Sequence, residues 1–210
     1  MKKLIFYVMS VMTVIFVFSL FLSEVWAQAS TIQWQKCLGG TGVDKAYSIK
    51  QATDGGYIVD GLSYSFDGDV TGNHGNGDFW IVKLDTVGNI EWQKSFGGGY
   101  GDIAYSIQQT VDGGYIVAGL SYSFNGDVIG NHDGGDCWIV KLDSVGNIEW
   151  QKCLGGTLDD QAHSVQQTTD SGYIVAGSSW SSDGDVTDHH GTNSYADFWI
   201  VKLDSAGNIE

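Results

Sequence analysis

Three stretches of this chain are near copies of one another, so any fold must place the same local pattern three times. Trp34, Trp92 and Trp150 stand 58 residues apart. The text WQKCLGGTGVDKAYSIKQATDGGYIVDGLSYSFDGDV is followed by WQKSFGGGYGDIAYSIQQTVDGGYIVAGLSYSFNGDV and WQKCLGGTLDDQAHSVQQTTDSGYIVAGSSWSSDGDV, and each copy closes on a variant of DFWIVKLDSVGNIE. The copies occupy 34–91, 92–149 and 150–210. The third is longer by three residues, inserted between Thr187 and Asp197. An insertion at one point of a fixed period marks a surface loop.

Each copy carries four strand signals with turn punctuation between them. Around the middle copy they are Glu91 to Phe96, Ala104 to Thr110, Tyr115 to Ser123 and Cys137 to Asp143, with Ile148 to Cys153 starting the next round. Asp112-Gly113-Gly114 reads as a short hairpin turn, in which glycine supplies positive φ. Asp143 to Asn147 makes a second tight connection, and Phe124 to Asp136 a longer loop of Asp, Asn, Gly and His. Pairing Leu142 with Ile148 sets Val140 against Trp150 and Trp138 against Lys152 on one face. On the other face Lys141 meets Glu149, an opposite-charge cross-strand pair. The first copy gives Val82 against Trp92 and Lys83 against Glu91. The same register sets Cys137 opposite Cys153, where either a disulfide or small packed thiols fits. With 30 Gly, no Pro and abundant aromatics, the fold class is all-β: an array of four-stranded antiparallel units resembling propeller blades.

The N-terminus reads differently. Lys2 and Lys3 precede an apolar run from Leu4 to Leu22, and small residues follow at Ala27 and Ala29. This is the pattern of a secretory signal peptide over 1–27, ahead of a repeat domain over 28–210. The apolar run is also long enough to serve as an uncleaved anchor. Both readings place the repeats outside the cytoplasm, secreted or at the outer cell surface. Without residues 1–27 the chain keeps 8 Lys, no Arg and 24 acids, a net charge of −16. Such an acidic protein repels nucleic acid and anionic membrane surfaces. Three Cys do not make a disulfide framework.

The pattern WQK-x-x-GG…D…AYSIQQT-x-DGGYIVAG…DFWIVKLD-x-x-GNIEWQK resembles the tandem β-propeller-type repeats of secreted Bacteroidetes proteins, and the resemblance covers residues 34–210. Those proteins are often exported through type IX secretion by a C-terminal sorting domain. The resemblance implies a propeller of several blades and no particular activity. The segment from Asp143 to Trp150 also looks like a hairpin of quinoprotein propellers and bulb-type lectins, although the lectin mannose motif is absent. Propellers have four to eight blades, so further blades or a second chain are expected to close the ring. The alternative is that a strand from Ile32 to Leu38 closes onto the last repeat.

Candidate sites are few. The long loops hold Asp69, His74 and Asp78 in the first copy, Asp127, His132 and Asp136 in the second, and Asp185, His189, His190 and Asp197 in the third. Carboxylate with imidazole suits a divalent ion, calcium included, whereas Asp, Asn and Gly are also ordinary turn formers. Gly39, Gly40, Gly42 and Asp44 match a calcium nonapeptide once, without the stacking that chemistry needs. Asp44, Asp102 and Asp160 are better read as acceptors for nearby backbone N–H groups. Trp80, Trp138, Trp199, Trp92 and Trp150 recur as core rather than as a sugar platform. Two departures stand out as ligand-binding candidates. Trp180 replaces Tyr64 and Tyr122, and Asp60 stands where the other copies have Ala118 and Ala176. Asp60 reads either as exposed in a central channel or as a perturbed functional carboxyl. No Ser–His–Asp or Cys–His arrangement recurs, and no carboxylate pair marks a glycosidase. The expected function is therefore a non-catalytic secreted or surface module that binds a protein or glycan. Part of a glycan-degrading enzyme, or a calcium-stabilised structural repeat, are the alternatives.

Overall fold

The computed structural model describes residues 31–190 and 194–210. Residues 1–27, which the sequence pattern reads as a signal peptide, lie outside the described residues. Backbone contacts divide the chain into two units, Met1–Gln35 and Lys36–Glu210. Of the first, residues 31–35 are described and carry no regular structure. Among the described residues no helix is long and apolar enough to cross a membrane.

The second unit is all-β. Sheet 1 contains β1 (Asp44–Gln51), β2 (Tyr57–Ser63), β3 (Asp78–Leu84) and β4 (Ile90–Phe96). Sheet 2 contains β5 (Asp102–Gln109), β6 (Tyr115–Ser121), β7 (Asp136–Leu142) and β8 (Ile148–Leu154). Sheet 3 contains β9 (Asp160–Gln167), β10 (Tyr173–Ser179) and β11 (Asp197–Leu203), with a single bridge from Leu203 to Ile209. All pairings are antiparallel, neighbours in sequence are neighbours in the sheet, and no sheet closes on itself. The sheets are offset from the sequence repeats. The WQK segment of one copy is the fourth strand of the sheet before it. Residues 32–38, which include the start of the first copy at Trp34, form no strand, so the expected strand Ile32 to Leu38 is not formed and does not complete sheet 3.

Two β-bulges recur in every complete sheet, and they correct the expected register. Leu142 does pair with Ile148, but Lys141 then stands opposite Trp150, Val140 opposite Gln151, Ile139 opposite Lys152 and Trp138 opposite Cys153. Sheet 1 repeats the shift, with Lys83 opposite Trp92 and Val82 opposite Gln93. The extra residues are Glu149 and Glu91. Their carboxylates still meet the lysines at 2.7 Å, because Lys141 and Lys83 are buried and reach along the strand to them. Cys137 consequently faces Leu154, not Cys153, and all three cysteines are free thiols. The second bulge inserts Tyr47, Tyr105 and His163 into β1, β5 and β9. It brings the backbone so close to β6 that a Cβ on Gly119 would lie 2.0 Å from the Ile103 carbonyl oxygen.

The sheets stack face to face. One face of sheet 1, with Ile58, Phe79 and Ile81, packs on Ala104, Ile107, Val117, Trp138 and Val140 of sheet 2. The corresponding face of sheet 2, with Ile116, Ala118, Cys137 and Ile139, packs on Ala162, Val165, Val175 and Val201 of sheet 3. Phe79 and Trp138 meet with ring centroids 4.5 Å apart. Each fully buried Ile or Phe contributes about 1.5–3 kcal/mol, so these seams hold the array together. Polar groups fix the alignment: Asp102 N–H donates to the Gly77 carbonyl at 2.8 Å, and Asp160 N–H to Gly135 at 2.6 Å. At the opposite sheet ends, Thr53 N–H donates to Gln109 Oε1 at 2.8 Å and Val111 N–H to Gln167 Oε1 at 2.9 Å.

Candidate functional site

The connections between strands 2 and 3 are the long ones, and in every sheet they leave from the same end as the Gly-Gly link to the next sheet. Each opens on a Ser-x-Ser step that holds the aspartate at the start of strand 1. Ser123 Oγ donates to Asp102 Oδ2 at 2.9 Å, and Ser121 Oγ donates to Asp102 Oδ1. Ser65 and Ser181 do the same for Asp44 and Asp160 at 2.8 and 2.7 Å. The Gly-Gly links supply N–H donors to these carboxylates: Gly40 to Asp44 and Gly98 to Asp102 at 2.9 Å, Gly156 to Asp160 at 2.7 Å. The aspartates thus act as backbone acceptors, and the nonapeptide-like Gly39 to Asp44 stretch turns donors, not ligand oxygens, toward its carboxylate. Asp102 is fully buried, and that burial pushes its carboxyl up to about 6 against the hydrogen bonds from Ser121, Gly98 and Ser123.

The loop His residues pair with an aspartate of their own repeat, and His74 also approaches an aspartate of the next. His74 gives its backbone N–H to Asp78 Oδ2 at 2.8 Å and sets its Nδ1 2.7 Å from the same oxygen. His132 and Asp136 repeat this at 3.0 and 2.8 Å, and His190 N–H donates to Asp197 at 2.6 Å. Asp69, Asp127 and Asp185 belong elsewhere: each accepts from the first glycine of a Gly-Gly link, Gly39 at 3.1 Å and Gly97 and Gly155 at 3.2 Å. His74 and Asp78 of one repeat therefore stand beside Asp127 and Asp102 of the next, with His74 Nε2 3.8 Å from Asp127. Among the described residues no three His, Cys, Asp or Glu side chains are arranged to hold a metal ion. Asp78 and Asp136 are fully buried, and Oδ1 of each lacks a hydrogen-bond partner. Burial raises both carboxyls, that of Asp136 to about 6.

Asp60 lies on β2 on the face that packs against sheet 2, not in an open channel. Both carboxyl oxygens are buried without a hydrogen-bond partner, and burial pushes the group up to about 7. Trp180 follows β10 in sheet 3, half-buried, its N–H donating to the Asp159 carbonyl at 3.0 Å. The two departures from the repeat therefore sit in different sheets and do not form one site. The recurrent tryptophans are structural. Trp80 and Trp138 are buried and donate Nε1–H to Gln93 and Gln151 at 2.8 and 2.7 Å. Trp92 and Trp150 pack edge-on against Tyr115 and Tyr173.

Sequence reasoning overlooked the exposed apolar side chains of the loop end. Tyr64 and Phe66, Tyr100, Phe124, Ile129 and Tyr195 all reach solvent there, with Trp180 half-exposed among them. Tyr100 and Phe124 come from different connections and meet at right angles, centroids 6.4 Å apart. The available signal was their position: large aromatics inside Asp/Gly/Asn-rich turns, outside any alternating run. No family model matches the chain, and no curated protein matches it either.

Proposed function

We propose that this chain is a non-catalytic module of the β-propeller type, acting outside the cell or at its surface, that binds a protein or glycan through the loop end of its sheets. The observation that carries the reading is the gathering of the long connections, with Phe66, Tyr100, Phe124 and Trp180, at one end of the stacked sheets. Aromatic rings on loops held by a rigid scaffold offer large contact area with few torsions to freeze, and they stack on sugar rings as readily as on apolar side chains. The net charge of −15 favours neutral or cationic partners. The test is binding to a glycan panel and to a panel of extracellular proteins, for wild type and for Phe66→Ala/Phe124→Ala/Trp180→Ala. A loss of about 10-fold or more with an unchanged unfolding midpoint supports the reading. Binding that is unaffected by the triple substitution overturns it, and turnover of a bound glycan would replace it with the enzymatic alternative.

A further inference from the structure

At both sheet–sheet seams two buried aspartates lie side by side with carboxyl oxygens left over. Asp102 N–H donates to the Gly77 carbonyl and Asp160 N–H to the Gly135 carbonyl, which sets Asp102 beside Asp78 and Asp160 beside Asp136. A Cβ on Gly97 would lie 2.5 Å from Asp102 Oδ2 and 2.8 Å from Asp78 Oδ1. All four side chains are fully buried. Oδ1 of Asp78, of Asp136 and of Asp160 has no hydrogen-bond partner. A buried carboxylate oxygen without a donor is costly, and two carboxylates that share one site resist ionising together.

The end sheets supply the comparison. Asp44 and Asp197 hold the same positions in the repeat, but among the described residues neither has a second aspartate of this kind beside it, and both are half-buried. Their carboxyls lie below the ordinary value. At Asp44 burial is outweighed by donors from Ser63, Gly40 and Ser65, and Asp197 accepts from His190 N–H. Burial at the seams instead raises Asp78, Asp102 and Asp136, the last two to about 6. Repulsion from Asp78 adds to the rise at Asp102, and from Asp160 to that at Asp136. The upward shift therefore belongs to the seam and not to the loop.

We propose that each seam closes by taking up a proton from solvent, held between Asp78 and Asp102 in the first and between Asp136 and Asp160 in the second. In the first seam the proton sits on Asp78 Oδ1, the oxygen without a donor. Asp102 is the acceptor, because Gly98, Ser121 and Ser123 already donate to it. Asp78 Oδ2 is taken by His74, through its N–H and Nδ1 at 2.8 and 2.7 Å, so the pair ties the seam to the long connection. The other titratable groups around the first pair are His74 and Asp127. Around the second they are His132, Asp159, Asp185 and the thiols of Cys137 and Cys153. No lysine is among them, and both histidines spend Nδ1 on Oδ2, away from the lone Oδ1. The seams are tightest near pH 4, weaken as pH rises to about 6 and level off above, since the folded chain holds the extra proton between those values. The proposal does not rest on the loop-end reading.

Urea unfolding from pH 4 to pH 8 tests it, in chains that carry Asp60→Ala so that this carboxyl does not contribute. Each seam should raise the unfolding equilibrium constant by about 100-fold over this range, as a pKa difference of about two requires. Asp78→Asn and Asp136→Asn each place an N–H where the proton is proposed to sit. Each variant should match its parent at pH 4, exceed it at pH 8 and lose about half of the pH dependence, in keeping with one proton per seam. Unchanged pH dependence in both variants overturns the proposal. So does added calcium that restores the pH 4 stability at pH 8, which would put a cation between the carboxyls. Carboxyl-carbon NMR titration of the unsubstituted chain needs no variant to fold. Asp102 and Asp136 should titrate near pH 6 and Asp44 and Asp197 below 4; a common low midpoint for all four overturns the proposal.

Discussion

Asp60 places a carboxyl where the same position in the next two copies is Ala118 and Ala176. Its two oxygens have no hydrogen-bond partner, so the folded chain tolerates the group best when it is neutral. Burial raises it from 3.8 to about 7. For an acid whose folded pKa lies above its unfolded one, the folded state holds the extra proton between the two values. Stability therefore falls as pH rises from about 4 to about 7 and levels off above that. Asp60→Ala, which restores the residue of the other repeats, should stabilise the protein by about 2–4 kcal/mol at pH 8 and by little at pH 4. Urea unfolding of wild type and variant at the two pH values checks this; an equal difference at both would show that ionisation of Asp60 is not the cause. Asp102 and Asp136, raised to about 6 by burial, give both proteins a residual slope of the same sign. Asp60 was legible in the sequence as a break in a repeat. Its place between two sheets was not, because the choice between a packed seam and an open channel depends on how neighbouring sheets stack.

The hairpins separate glycines that the chain needs from one it can exchange. Gly113 turns the β5–β6 hairpin with φ +85°, and Ser171 does the same in sheet 3 with φ +70°. A Cβ on Gly113 meets nothing within 4 Å, so the cost of a side chain there is conformational alone. Ser171→Gly should therefore stabilise by about 0.5–1 kcal/mol, the left-handed penalty reduced by the greater freedom of glycine in the unfolded chain. Gly119 is another matter, since the bulge at Tyr105 brings the Ile103 carbonyl to 2.0 Å from its missing Cβ. Gly119→Ala should cost about 3 kcal/mol or more, because a backbone ladder and not a flexible side chain would have to move. Denaturant midpoints of the two variants test the contrast, and similar small effects would contradict it. Strands, turns and strand order were readable from alternation and Asp-Gly punctuation. The bulges were not, although Ala104 and Ile107, both buried and three residues apart, carry their mark. Strict alternation would have put those two on opposite faces. The Asp and His groups escaped for a different reason: Asp69, Asp127 and Asp185 accept from Gly39, Gly97 and Gly155, thirty residues earlier, a contact that the loop's own sequence does not signal.

The three sheets are chemically alike but not equally protected. Sheet 2 is covered on both faces, with Ile107, Ile116, Val117, Trp138, Ile139 and Val140 all fully buried, whereas β1 of sheet 1 and β11 of sheet 3 are largely exposed. In a stack of repeats, each unit is held by its own pairing plus a term from each neighbour, so the middle unit has two such terms and the ends one. Opening free energy should then peak in the middle and fall outward. Amide hydrogen exchange is expected to be slowest in β6 and β7. It should be fastest in β11, whose outer edge carries only the bridge from Leu203 to Ile209 and whose Phe198 and Ile200 are exposed. Uniform protection of the three sheets would mean that they unfold as one cooperative block rather than as neighbours.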